Sequence, residues 1–217
     1  MTDNTLEPPE FDAAFREKLL CLFEWRRDVR RFLTDPVDPD LIEALLTQAC
    51  LSPCVGNSQP WRFVLVEEEA RRAEIRANFQ EMNAAALGDY EGERAAAYAK
   101  LKLSGLDEAP VHLAVFADTG TARGHGVGRR TMPETLEYSA VAAVNTLWLA
   151  ARAVGVGVGW VSIIDPTAVC KTLDVPENWR LVAYLCVGYP AAVHREPELQ
   201  RVGWQARGNL NDFLLRR

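Results

Sequence analysis

The first apolar periodicity falls at Phe15, Leu19, Leu22 and Phe23, a spacing that predicts a helix from about Phe11 to Trp25. Asp38 followed by Pro39 reads as an N-cap with proline in the first turn, opening a second helix to about Cys50. The segment SPCVGNSQPW, residues 52 to 61, is dense in turn formers and leads into a first strand at Arg62 to Val66. Charged, alanine-rich stretches at about 68–86 and 91–104 predict two more helices. Pro110 then introduces a second strand, Val111 to Ala117, followed by a loop rich in Gly, Arg and Thr from Asp118 to about Pro133.

The longest helix is predicted from Thr131–Glu134 to about Val154. Thr131 and Glu134 have the spacing of a capping box, and Pro133 suits a first turn. Ala140, Ala142, Ala143, Ala150 and Ala151 permit close approach of another helix, so this is the candidate core or dimer helix. Val156 to Ile164 and Arg180 to Gly188 are the remaining predicted strands. Beyond Tyr189 the chain turns polar, with no clear periodicity until Asn211 to Leu215, which predicts an arm at about 190–217 that frays or docks on a neighbour. Helices ahead of the first strand and long helices between the others predict α+β layers in a single domain, 1–217, and disfavour a regularly alternating doubly wound sheet.

Composition narrows the function classes. With 48% hydrophobic and 25% charged residues in 217, the chain can bury a sizeable core, and disorder is excluded. A net charge of −6 argues against nucleic acid and acidic membranes as partners, so any anion site must be local. Arg26, Arg27, Arg30 and Arg31 form such a concentration. Five scattered cysteines and the polar, acidic start MTDNTLEPPEFD point to the reducing cytoplasm and to no export signal. The most apolar stretch, Tyr138 to Ile164, is broken by Asn145, Arg152 and three glycines, which reads as a buried helix plus a strand and not a membrane span.

Three constellations carry candidate chemistry. WRRDVRRF, residues 25 to 32, places guanidinium forks at a helix end where they can bind a phosphate dianion, or simply face solvent. GNSQPW, residues 56 to 61, offers backbone N–H groups, the Ser58 hydroxyl and the Gln59 amide to a planar ligand, or is a loop without one. GVGVGWVSI, residues 155 to 163, either lets a flat ring approach the backbone or allows tight helix-to-strand packing. Its glycines do not follow G-x-G-x-x-G after a strand, and neither a P-loop nor a G-x-S-x-G elbow is present. His112, His125 and His194 are scattered and Cys50 and Cys54 lack a second pair, so no metal site is expected.

Taken in order, the arginine-rich segment, SPCVGNSQPW and GVGVGWVSI resemble the nitroreductase flavoprotein superfamily over roughly residues 15 to 207. The resemblance implies an α+β fold with a central mixed or antiparallel sheet flanked by helices. It also implies an intertwined homodimer with FMN at the interface and a polar arm wrapped round the partner. RRDVR at 26–30, TMPET at 131–135, LWLAARAVGVGVGWVSI at 147–163 and EPEL with GW at 196–204 look closest to the flavin-destroying branch of that superfamily. That branch implies reaction of reduced FMN with O2, fragmenting the flavin to 5,6-dimethylbenzimidazole, the lower ligand of cobalamin, and a four-carbon sugar phosphate. Reduced flavin would come from a separate reductase, since the chain has no nicotinamide fingerprint. The alternatives are a conventional FMN-dependent nitro-, quinone or cob(II)yrinate reductase and a flavin-storage module.

Carried over by position, Arg26, Arg27 and Arg30 are implied in phosphate and ribityl contacts and Val29 in cofactor binding, with Arg207 as a further phosphate candidate. Ser58, Gln59 and Pro60 are implied to frame the ring, and Ser162 to lie near the reactive centre. Asp28 stands where ordinary nitroreductases commonly carry Ser. A carboxylate beside a phosphate is electrostatically unfavourable, so Asp28 is expected to accept or relay a proton, or else to form an ion pair with Arg30 or Arg31. The segment 89–105 is a candidate lid over the open face of the flavin.

Overall fold

The computed structural model describes residues 7–217; the first six residues of the expected domain lie outside that range. Helix α1 (Ala13–Trp25) starts where the Asp12 carboxylate accepts from the Phe15 N–H at 2.7 Å, two residues later than its apolar spacing suggested. Helix α2 (Pro39–Ala49) is capped by Asp38 as expected. Strand β1 (Trp61–Leu65), helices α3 (Glu69–Gly88) and α4 (Gly92–Tyr98), and strand β2 (Val111–Asp118) follow. Helix α5 (Thr135–Ala153), β3 (Gly157–Val161), α6 (Pro166–Thr172), β4 (Trp179–Gly188) and the short α7 (Glu198–Arg201) complete the order.

All strand pairs are antiparallel, in the order β1-β2-β4-β3. β2 and β4 are central and buried on both faces, and alternation divides their side chains between two cores. Leu113, Val115, Ala117, Ala183, Leu185 and Val187 face α2 and α5. Ala114, Phe116, Tyr184 and Cys186 face Ile75 of α3, Val169 of α6 and Leu106. Of the α5 alanines, Ala140, Ala143 and Ala151 are fully buried in the core beneath the sheet, while Ala142 and Ala150 are half-buried.

Three local expectations are corrected, and one exposed face emerges. The capping box at Thr131 does not form: α5 begins at Thr135, whose Oγ1 donates to the Met132 carbonyl at 2.6 Å, and Pro133 lies ahead of the helix. Helix α4 stops at Tyr98, short of 104, because the residues after it close turns on the α4 carbonyls and then run to Gly105 without regular structure. The predicted strand to Ile164 ends at Val161, since Asp165 and Pro166 open α6, a helix that repeats the Asp-Pro start of α2. Finally, α1 buries none of its residues, and Phe15, Leu20 and Phe23 stand exposed.

Among the described residues, no helix is long and apolar enough to cross a membrane, and no group of three or more His, Cys, Asp or Glu could hold a metal ion.

Candidate active site

At Arg26 the backbone leaves helical geometry, with φ −68° and ψ 123°, and the non-helical segment that follows bridges Asp28 to Val158 of β3 and Phe32 to Pro190. The Val29 N–H donates to the Val158 carbonyl at 3.0 Å, within a parallel bridge between Asp28 and Val158. The four arginines therefore do not share one helical turn, as the sequence suggested. Glycine permits this docking. A Cβ at Gly157 would lie 2.8 Å from Val29 Cγ2, and one at Gly159 would collide with the Val29 carbonyl. Gly157 and Gly159 thus serve close packing of the arginine segment against the strand, where the spacing had suggested either a flat ring or tight helix-to-strand packing, while Gly155 has no neighbour within 4 Å.

Each side chain of the motif has a distinct environment. The Arg26 guanidinium lies 4.7 Å from the centre of the Trp148 ring, whose Nε1 donates to the Arg27 carbonyl at 3.1 Å. Burial holds the Arg26 pKa below its ordinary value; Asp28 opposes that shift and Arg207 adds to it. Arg27 is lowered by burial, then by Arg207 and Arg26, against Glu24. Burial first, and the positive charge of Arg207 second, thus make the protonated forms of Arg26 and Arg27 costlier than in water. Arg27 donates to the backbone carbonyls of Glu24, Arg26 and Arg195, so it ties the end of α1 to the C-terminal arm.

Asp28 is held at both oxygens. Its Oδ1 accepts from the Trp160 N–H at 2.8 Å and its Oδ2 from Arg30 Nε at 2.8 Å. The ion pair foreseen as an alternative for Asp28 is therefore present, with Arg30 and not Arg31. Ser162 lies just past the end of β3 and is exposed, two residues beyond Trp160 and about 7 Å along the strand direction. The edge of β3 thus carries Asp28 beside Val158 and Trp160, with Ser162 just past the end of the same strand.

Ser58, Gln59 and Pro60 sit elsewhere, immediately ahead of β1 at the opposite edge of the sheet. Three strand spacings, about 14 Å, separate the two edges. This loop is held in unusual geometry, with φ 52° at Asn57 and 46° at Gln59. Arg123 Nη2 donates to Gln59 Oε1 at 3.2 Å, and Arg62 Nη1 donates to the Gln59 carbonyl at 3.2 Å. Ser58 is buried, yet its hydroxyl has no hydrogen-bond partner among the described residues. Orphaned buried hydroxyls and left-handed non-glycine residues are costly features that gather at functional sites.

A crevice of about 70 Å³ runs along the arginine segment, walled by Asp28, Val29, Trp148, Gly157, Val158 and Glu196. Ligand pockets typically hold about 300–1,000 Å³, so one chain alone does not enclose a flavin-sized molecule here. Trp148 and Trp160 were not singled out from the sequence, although both lie inside the LWLAAR to WVSI block. An aromatic next to an arginine-rich segment only in space leaves no local signal.

Residues 23–189 match the nitroreductase family, and the chain belongs to it. Among its relatives, 5,6-dimethylbenzimidazole synthase of Rhodospirillum rubrum is 57% identical over 199 residues, covering 92% of this chain and 94% of that protein. A 5,6-dimethylbenzimidazole synthase of Rhodobacter capsulatus is 48% identical, covering 90% of this chain and 94% of the relative. Among solved structures, oxidized iodotyrosine deiodinase bound to FMN and 3-iodo-L-tyrosine superposes with a TM-score of 0.69 at 27% identity, over 81% of this chain and 91% of that one. A nitroreductase family protein of Streptococcus pneumoniae shares the fold with a TM-score of 0.66 at 22% identity, over 92% of this chain and all of that one.

Proposed function

We propose that the chain is a 5,6-dimethylbenzimidazole synthase, taking reduced FMN and O2 as substrates and releasing 5,6-dimethylbenzimidazole and a four-carbon sugar phosphate. The observation that carries this reading is the 57% identity to the synthase of Rhodospirillum rubrum over 92% of the chain. The site geometry is compatible with it. Arg26 and Arg207 would take the flavin phosphate, with Arg27 adding charge while its donors remain on backbone carbonyls. Bound FMN supplies the ring that is oxidised and cleaved. Asp28 would accept a proton from the substrate through lone pairs left free by Trp160 and Arg30, and Ser162 would offer its hydroxyl on the same edge.

Ser58, Gln59 and Pro60 would frame the ring from a second copy of the chain. Their position at the opposite sheet edge, the small crevice and the uncovered apolar residues Phe15, Phe23, Leu210, Phe213 and Leu215 support a homodimer with composite sites. The α4 segment, residues 89–105, would be the cover that excludes water, and a separate flavin reductase would supply reduced FMN. Free thiols at all five cysteines suit a cytoplasmic setting.

The test is mass spectrometry of products after mixing the protein with excess chemically reduced FMN in air, against a no-protein control. Protein-dependent 5,6-dimethylbenzimidazole with matching loss of FMN is expected. Intact FMN that merely reoxidises, despite measured binding, would overturn the reading in favour of a conventional flavin reductase.

A further inference from the structure

Beyond Arg26 and Arg27, the RRDVRR segment contains two arginines whose donors are engaged by distant parts of the chain. Arg30 is one of them, with its side chain only 15% exposed. Its Nε donates to Asp28 Oδ2 at 2.8 Å, and its Nη1 donates to the Lys102 backbone carbonyl at 3.2 Å. Lys102 belongs to the stalk that joins α4 to the rest of the fold, and its Nζ pairs with Glu108 Oε1 at 2.6 Å across that stalk. Arg31, the second, reaches Glu198 of α7 at 2.5 Å.

The two elements so contacted also hold each other. Tyr90 and Tyr98, flanking and ending α4, stack at 4.9 Å, and both meet the Trp204 ring edge-on at 5.7 and 6.1 Å. Arg94 lies 4.6 Å over the same indole. The α4 segment and the arm around Trp204 are therefore one aromatic unit, and Arg30 is its buried connection to the carboxylate of Asp28.

We propose that Arg30 is a positioning residue that sets the Asp28 carboxylate and the seating of the α4 segment together, and is not a phosphate ligand. A continuous path runs from the Trp160 N–H through Asp28 and Arg30 to the Lys102 carbonyl. A planar fork can bridge two acceptors from two different nitrogens in fixed directions, whereas the three donors of an ammonium share one nitrogen and do not reproduce that spacing. If the α4 segment lifts, Arg30 loses one acceptor and Asp28 its fixed partner, so the carboxylate is set for chemistry only under a seated cover. The proposal deepens the synthase reading and rests on it for the role of Asp28; the link between Arg30 and the stalk does not.

The experiment is hydrogen exchange of the amides at 99–105 in the flavin-free protein, together with affinities for FMN and riboflavin, in wild type and Arg30→Lys. Exchange is expected to be about tenfold faster in the variant, the order expected for loss of a charge-assisted hydrogen bond, with the FMN-to-riboflavin affinity ratio held within about threefold. Should Arg30→Lys not fold, Arg30→Gln removes the charge and the fork together, with the same exchange result expected. Unchanged exchange in the variant measured would overturn the proposal. So would a selective loss of FMN over riboflavin in Arg30→Lys, because that marks a phosphate ligand. Neither readout needs turnover, so failure here is distinct from failure to fragment flavin.

Discussion

The carbonyl of Val29 occupies the space that any side chain at position 159 would need. The arginine segment can therefore lie against β3 only because that residue is glycine, and the placement of Asp28 follows from the same contact. Gly159→Ala should push the segment off the strand, breaking the Val29 to Val158 and Trp160 to Asp28 hydrogen bonds. Overpacking of this kind costs about 1–3 kcal/mol, and flavin binding should fall with it. Urea unfolding and flavin titration of the variant measure both.

Trp148 holds the segment from the side of α5, through its ring beneath Arg26 and its N–H to the Arg27 carbonyl. Trp148→Phe keeps a ring and loses the hydrogen bond, for an expected cost of about 1 kcal/mol in stability. Trp148→Leu loses both contacts and should also weaken FMN more than riboflavin, because Arg26 would no longer be oriented. Paired titrations with the two flavins separate the effects.

Burial and the charge of Arg207 disfavour the protonated forms of Arg26 and Arg27, a cost that a bound anion offsets, so inorganic phosphate should raise the melting temperature more than chloride at equal ionic strength. Arg207→Gln should shrink that difference and lower FMN affinity about tenfold without destabilising the flavin-free protein, since position 207 is exposed. Differential scanning fluorimetry across a phosphate series checks this directly.

His112 is buried, with Nδ1 3.0 Å from the Tyr184 hydroxyl. Burial, reinforced by Arg72 and Arg76, pushes its pKa down from 6.5 to about 4, against the Leu106 backbone and Glu69. A group depressed in this way binds its proton more readily when unfolded. Its contribution to stability is complete above about pH 6.5, declines as pH falls, and is gone below about 4. The corresponding loss is about 3 kcal/mol across that window. Urea unfolding at a series of pH values should show a steeper fall for wild type than for His112→Gln.

The two Asp-Pro helix starts show what is legible locally and how easily it is missed. Asp38 and Asp165 each accept a backbone N–H two residues on, with proline next in line. The first predicts its helix from the sequence, whereas the second, directly after the strand expected to reach Ile164, has no predicted helix, because α6 is only seven residues long and offers little periodicity. Thr131 and Glu134 show the converse, a correct motif spacing that the chain does not use because the helix begins at Thr135.

Periodicity, caps and turn formers reside within a few residues of one another, and so the sequence by itself determined most helices and strands, the α+β class and the concentration of arginines. The work of each arginine depended on partners far along the chain: Arg27 bonds to the carbonyl of Arg195, 168 residues away, and Arg30 to that of Lys102, 72 away. Only the tertiary structure decided those roles, the purpose of Gly157 and Gly159, and the separation of Ser58 from Asp28 at opposite sheet edges. Strand order and backbone approach are set by burial of both sheet faces at once, a condition on the whole chain that no local spacing expresses.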